Sequence, residues 1–136
     1  MKKLHILLLV SFFFYSALAD KYAVVSNQNM KELSKTQIKA IFLKKLKMIN
    51  DIKLIPLNTA PKDKLRVKFE KRILRMSFGS LKAYWNSQHY LGQRPPLSMK
   101  SQESVITFVK RVDGAIGYIN EKNLDNKLKV LYKWED

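Results

Sequence analysis

Strand-length runs of β-branched residues alternate with stretches of helical periodicity along most of this chain, and that alternation limits the fold more than any other feature. Tyr22-Ala23-Val24-Val25-Ser26 reads as a strand, and the polar Asn27-Gln28-Asn29 as the turn after it. Ser34 followed by Gln37 forms a capping box, Leu33 can staple onto Ile38, and Ile38, Ile41 and Phe42 line one helical face. The basic exit Lys44-Lys45-Leu46-Lys47 complements the negative C-terminal end of that helix. Ile52 to Leu57 reads as a second strand, with Pro56 marking an edge or a strand end. Asn58-Thr59-Ala60-Pro61 then turns into a helix over Lys62 to Arg75, with Leu65, Phe69 and Ile73 at i, i+4, i+8. Ser77 can cap a third helix that runs to Leu91 and stops at Gly92, and Ser101 a fourth over Gln102 to Val112, ended by Gly114. Ala115 to Ile119 has the character of a buried strand, and Leu128 to Tyr132 of a last one. This order predicts an α/β layered fold with at least some parallel pairing.

Ahead of these elements stands a different kind of segment. Met1-Lys2-Lys3 is basic, Leu4 to Leu18 is mostly apolar, and Ala17-Leu18-Ala19 puts small residues at the −3 and −1 positions before Asp20. That three-part plan is a secretory signal peptide over 1–19, with cleavage expected after Ala19. The apolar run is shorter than the roughly 20 residues that span a bilayer, so no stable membrane insertion is expected once it is removed. The remaining 20–136 has the length of one domain.

Export changes the meaning of the charge. The chain carries 26 Lys and Arg against 11 Asp and Glu, a formal +15. A basic cytosolic protein suggests nucleic acid; a basic exported one meets anionic solutes, envelope surfaces or acidic protein faces instead, so no nucleic-acid partner is expected. The helix over Lys62 to Arg75 concentrates this charge: Lys62, Lys64, Arg66, Lys68, Lys71, Arg72 and Arg75 face only Asp63 and Glu70. Such a run is either a solvated face or a docking face for something acidic.

The chemistry inventory argues against catalysis. With no cysteine there is no thiol nucleophile and no Cys zinc site. His5 leaves with the leader, so His89 is the single histidine of 20–136, too few for a zinc site. There is no G-x-S-x-G elbow, no phosphate-binding Gly-rich loop and no evident pair of carboxylates for glycoside hydrolysis. No catalytic residue, metal or cofactor is therefore assigned. What remains is binding. In α/β sheets, ligands lie beyond the carboxyl ends of strands and on helix N-termini. Two places answer to that description. One is Ser26-Asn27 after the first strand; the other is Asn58-Thr59 with Lys62 and Lys64, where backbone N–H groups, a hydroxyl and two ammonium groups suit a small oxyanion. Asn58 or Thr59 could equally serve as caps of the turn.

Two segments also resemble a known family. Leu33-Ser34-Lys35 through Ile41-Phe42-Leu43-Lys44-Lys45-Leu46-Lys47, followed by Ile52 to Leu57, is similar to the L-S-x-x-x-L-x-x-I-F-x-G-K-I segment and following strand of phosphate-type periplasmic substrate-binding proteins. Val105 to Val112 followed by Asp113-Gly114-Ala115-Ile116-Gly117-Tyr118-Ile119 resembles that family's helix and P-G-A-I-G-Y-V piece. Lys44 stands where the family has glycine, and Asn58 to Lys64 occupies the place of its Arg and Ser-Gly-Thr phosphate loop. The resemblance implies a single lobe of a type-2 periplasmic binding protein-like fold, a small mixed sheet flanked by helices. It further implies an exported, periplasmic protein that recognises phosphate or another small anion for a transporter or sensor. The alternative is a non-transport interaction module of the envelope that kept the lobe and lost the ligand.

Overall fold

A computed structural model of the protein describes Ser11 and residues 19–136, so the expected leader lies outside the described residues except at Ser11 and Ala19. The chain builds a five-stranded mixed sheet from β1 (Lys21–Ser26), β4 (Ile55–Asn58), β5 (Leu97–Ser98), β6 (Ala115–Asn120) and β7 (Lys129–Glu135), in the order β5-β4-β6-β1-β7. β4 is parallel to both β5 and β6, whereas β1 is antiparallel to β6 and β7. A small hairpin of β2 (Met48–Ile49) and β3 (Ile52–Lys53) stands apart from this sheet. The helices are α1 (Lys35–Phe42), α2 (Lys64–Phe69), α3 (Phe78–Tyr90) and α4 (Gln102–Arg111). Among the described residues no helix is long and apolar enough to cross a membrane.

Period-two alternation sends side chains to both faces of the sheet, and each face has its own core. Tyr22, Val24, Ile116, Tyr118, Leu131 and Trp134 face α1, α2 and α3, meeting Ile38, Phe42, Phe69 and Leu81. Ala23, Val25, Leu57, Ala115 and Ile119 face α4, meeting Val105 and Val109. Local signals start the helices as expected. Gln37 N donates to Ser34 Oγ at 3.1 Å while Ser34 N donates to Gln37 Oε1 at 2.9 Å, completing the capping box. Ser77 and Ser101 cap α3 and α4 in the same way, each accepting from the N–H three residues on at 3.1 Å.

Three elements differ from the sequence reading. The expected strand over Ile52 to Leu57 is two strands, because Asn50 and Asp51 both take left-handed backbone (φ 48 and 65) and fold β2 and β3 into a hairpin. The long helix over Lys62 to Arg75 begins only after its cap Asp63, then widens into a π-helical turn over Glu70–Leu74. That turn ends at Arg75, itself left-handed at φ 53. Part of the loop after Gly92 adds the short edge strand β5. Pro56 is compatible with an interior strand because β5 pairs only with Leu57 and Asn58, leaving one flank of Pro56 without a strand.

The two glycines of Gly114-Ala115-Ile116-Gly117-Tyr118 are there for close approach. Gly114 has φ 84, and a Cβ on it would lie 1.9 Å from Lys53 O. A Cβ on Gly117 would lie 2.3 Å from Val105 Cγ1, so only glycine lets α4 sit this near the sheet. Lys44 is the converse case, a lysine in the left-handed position after α1 (φ 57), its amine pushed below the usual lysine range by burial and by Lys47 and Lys53. Gly114→Ala is expected to lower stability by at least about 3 kcal/mol in urea denaturation, because strain and backbone overlap act together. Lys44→Gly should raise it by up to about 1 kcal/mol by relieving left-handed strain.

Candidate functional site

Parallel pairing brings the carboxyl ends of β4 and β6 to the same end of the sheet, and a buried polar cluster forms there. Tyr118, on β6, donates its hydroxyl to Asn58 Oδ1 at 2.9 Å and accepts from Thr59 N at 3.2 Å. Its ring stacks on Phe69 of α2, with centroids 4.0 Å apart and planes within 11°. Burial pushes the Tyr118 hydroxyl far above the ordinary tyrosine range, so it remains a donor at any physiological pH. Arg66 reaches back from α2: its Nη1 donates to Thr59 O and to Ser98 Oγ, both at 3.1 Å. This guanidinium therefore ties α2 to the ends of β4 and β5.

A cavity of about 290 Å3 opens over the cluster. Asn58, Arg66, Glu70 and Lys82 supply its polar lining, and Phe42, Leu81 and Trp85 are among its apolar walls. Arg66 Nε is buried without a hydrogen bond, 3.5 Å from Glu70 Oε1, and Thr59 Oγ1 is likewise buried and unpartnered. Burial raises the Glu70 carboxyl above its usual range, against the pull of Arg66. A guanidinium, an amide and an ammonium can hold an oxyanion here. Ionised Glu70 opposes that anion, and protonated Glu70 does not.

The residues singled out from the sequence divide between opposite ends of the sheet. Asn58 and Thr59 are buried in the cluster. Lys62 and Lys64 are exposed in the turn and at the start of α2, where Asp63, not Asn58 or Thr59, caps the helix by accepting from Leu65 N at 3.2 Å. Ser26 and Asn27 also end a strand, but β1 runs antiparallel to β6, so they lie at the other end. There Asn27 Nδ2 donates to Asp113 Oδ1 at 2.6 Å, and Asn27 Oδ1 accepts from Asn29 N at 3.2 Å, which pins the connection between α4 and β6. His89 is exposed near the end of α3, its Nδ1 2.7 Å from Arg94 Nη1. Among the described residues no group of His, Cys, Asp and Glu could hold a metal ion.

Solved structures share this fold. A protein from Clostridium perfringens described as a phosphate ABC transporter substrate-binding protein, with bound phosphate, superposes with a TM-score of 0.68 at 19% identity, over 83% of this chain and 44% of its own. An ABC-type phosphate transport receptor from Vibrio cholerae gives 0.66 at 18% identity, over 83% of this chain and 46% of its own. PstS from Borrelia burgdorferi gives 0.60 at 15% identity, over 84% and 48%. The chain has the fold of a single lobe of such binding proteins. It spans less than half the length of each, and these neighbours are binding proteins rather than enzymes. No protein-family model matches the chain, and no curated protein matches it.

Sequence reasoning did not single out Arg66, Glu70, Ser98, Lys82 or Tyr118. Arg66 and Glu70 were one signal, an i, i+4 pair of opposite charge beside the apolar stripe of α2. Ser98 had none and Tyr118 only its place in the Gly114-to-Ile119 motif, since it is the parallel register that brings them to Asn58. Tyr118→Phe should cost about 1–3 kcal/mol in urea denaturation, because Asn58 Oδ1 and Thr59 N lose their shared partner. The raised Glu70 carboxyl means that the folded chain holds this proton more tightly than the unfolded one. Stability from this group is thus full at acid pH and declines as pH climbs from the ordinary carboxylate range through the raised value. Glu70→Gln should flatten that decline in denaturation curves between about pH 4 and 7.

Proposed function

We propose that the chain is an exported, solute-binding-like protein of one lobe that recognises phosphate or another small anion at the carboxyl end of β4, for a transport or sensing system. It acts as a binder, not as an enzyme. The observation that carries this reading is Arg66, fixed by Thr59 O and Ser98 Oγ at the edge of a cavity that also presents Asn58 and Lys82. The C. perfringens protein of like fold holds phosphate, which supports an anion as the ligand class. A leader cleaved after Ala19 would deliver Asp20–Asp136 to the periplasm. One wall leaves the anion partly in water, where a charge pair at contact is worth only ~1 kcal/mol. Millimolar affinity follows unless a second wall comes from a partner.

Calorimetry on Asp20–Asp136 with phosphate, sulfate and acetate tests this. Saturable heat at about 1–10 mM is expected, stronger at acid pH as Glu70 loses its charge, and weaker in Arg66→Gln. No heat for any of these anions would sink the reading.

One observation favours the alternative, an interaction module of the envelope. A cavity of about 550 Å3 lies beside the first, lined in part by Pro61, Val67, Met76 and Phe78 and flanked by Lys71 and Arg75. Val67 is 54% exposed and Phe78 80% exposed, a large apolar area for a solvated surface. On this reading an acidic protein partner is retained by the native chain and lost by Val67→Ser/Phe78→Ser.

A further inference from the structure

We propose a second anion site, on the flank of the molecule formed by the start of α1, the π-helical turn and β7, which takes a ligand carrying more than one phosphate charge. A cavity of about 410 Å3 lies there, lined by Lys35, Lys71, Arg72 and Arg75 with the aromatic walls Tyr132 and Trp134. Its volume falls within the range of small-ligand sites, about 300–1,000 Å3. It shares no lining residue with the cavity over Asn58 and Arg66.

The charge arrangement sets this cavity apart. Four cations line it and no carboxylate does. Elsewhere the scarce acids are placed against bases: Glu70 on Arg66, Asp20 and Asp136 on Lys68, Asp125 on Lys110, Glu121 on Lys133. None of the ion pairs among the described residues uses Lys35, Lys71, Arg72 or Arg75. Asp136 feels a weak pull from Arg72, but its carboxylate is already held by Lys68 Nζ at 2.8 Å. The Arg72 side chain is positioned instead by a neutral group, its Nη2 donating to Glu135 O at 2.8 Å.

The backbone that presents these cations is itself unusual. Lys71 and Arg72 belong to the π-helical turn, a conformation that is rare and concentrates at functional sites. Arg75 closes the turn at φ 53, where glycine would be more comfortable. Like charges gathered around a cavity whose lining holds no carboxylate are best satisfied by a polyvalent oxyanion. Phosphate suits them best, since each arginine fork can take two of its oxygens. The phosphates could belong to a soluble polyphosphate or to a lipid headgroup, and both offer the same chemistry.

Tripolyphosphate is the soluble probe, and vesicles containing cardiolipin, a lipid whose headgroup carries two phosphates, with phosphatidylcholine vesicles as control, are the lipid probe. In Trp85→Phe, Trp134 is the only tryptophan left, and its fluorescence should respond saturably to whichever probe binds. A response to tripolyphosphate alone supports a soluble ligand; sedimentation with the anionic vesicles but not the neutral ones supports a headgroup. Arg75→Gly should weaken the binding at least about tenfold without lowering the melting temperature, because glycine fits the backbone there. Arg66→Gln should leave it unchanged. Binding of neither probe overturns the proposal. So does equal binding by Arg75→Gly and by Lys71→Ala/Arg72→Ala, or loss of binding in Arg66→Gln.

Discussion

The buried phenol of Tyr118 is the interaction on which the rest of this structure depends. Its ring belongs to the aromatic stack with Phe69, and its hydroxyl satisfies Asn58 and the backbone of Thr59. One side chain therefore couples the apolar core to the polar end of β4. A phenol suits this position because its body is apolar and its tip can donate and accept at once. Without it the turn after β4 would carry buried polar groups with no partner. Arg66 would then reach back to a carbonyl with no fixed position.

Strand direction is the second constraint. β4, β5 and β6 run the same way, and their carboxyl ends bring Asn58, Ser98 and Tyr118 together. β1 and β7 run antiparallel to one another, with β1 also antiparallel to β6, so the loop after β1 is sent to the other end. There Asn27 holds the α4–β6 connection and both ends of its amide are already engaged. The same sheet thus places two polar strand ends of similar sequence character in different chemical settings.

This explains what could be read from the residues alone. The helix caps at Ser34, Ser77 and Ser101 are local, and each lies where the sequence predicts. The glycines of Gly114 to Tyr118 were legible as a motif, though only the packing against Lys53 and Val105 gives their reason. Asn58 and Thr59 were legible as a strand end meeting a helix. The hairpin turn at Asn50-Asp51 was written in the sequence, but the two-residue strands on either side of it are too short to show a period of their own. Arg66 was visible as one base among seven and as the i, i+4 partner of Glu70, but its separate role depends on β5, a two-residue strand set by the parallel register. The π-helical turn carries no periodic signal of its own, since Leu65, Phe69 and Ile73 keep the spacing of an ordinary helix across it.

That turn also acts as a phase shifter. Each residue of an α-helix advances the azimuth by about 100°, so a wider turn resets the heading of everything that follows. Wound as a regular α-helix at the same length, Glu70–Leu74 would instead swing Arg75 to another side of the molecule. The flank that now gathers basic side chains would lose one of them with no basic residue replaced. In this chain, backbone phase as much as amino-acid identity decides where the positive charge collects.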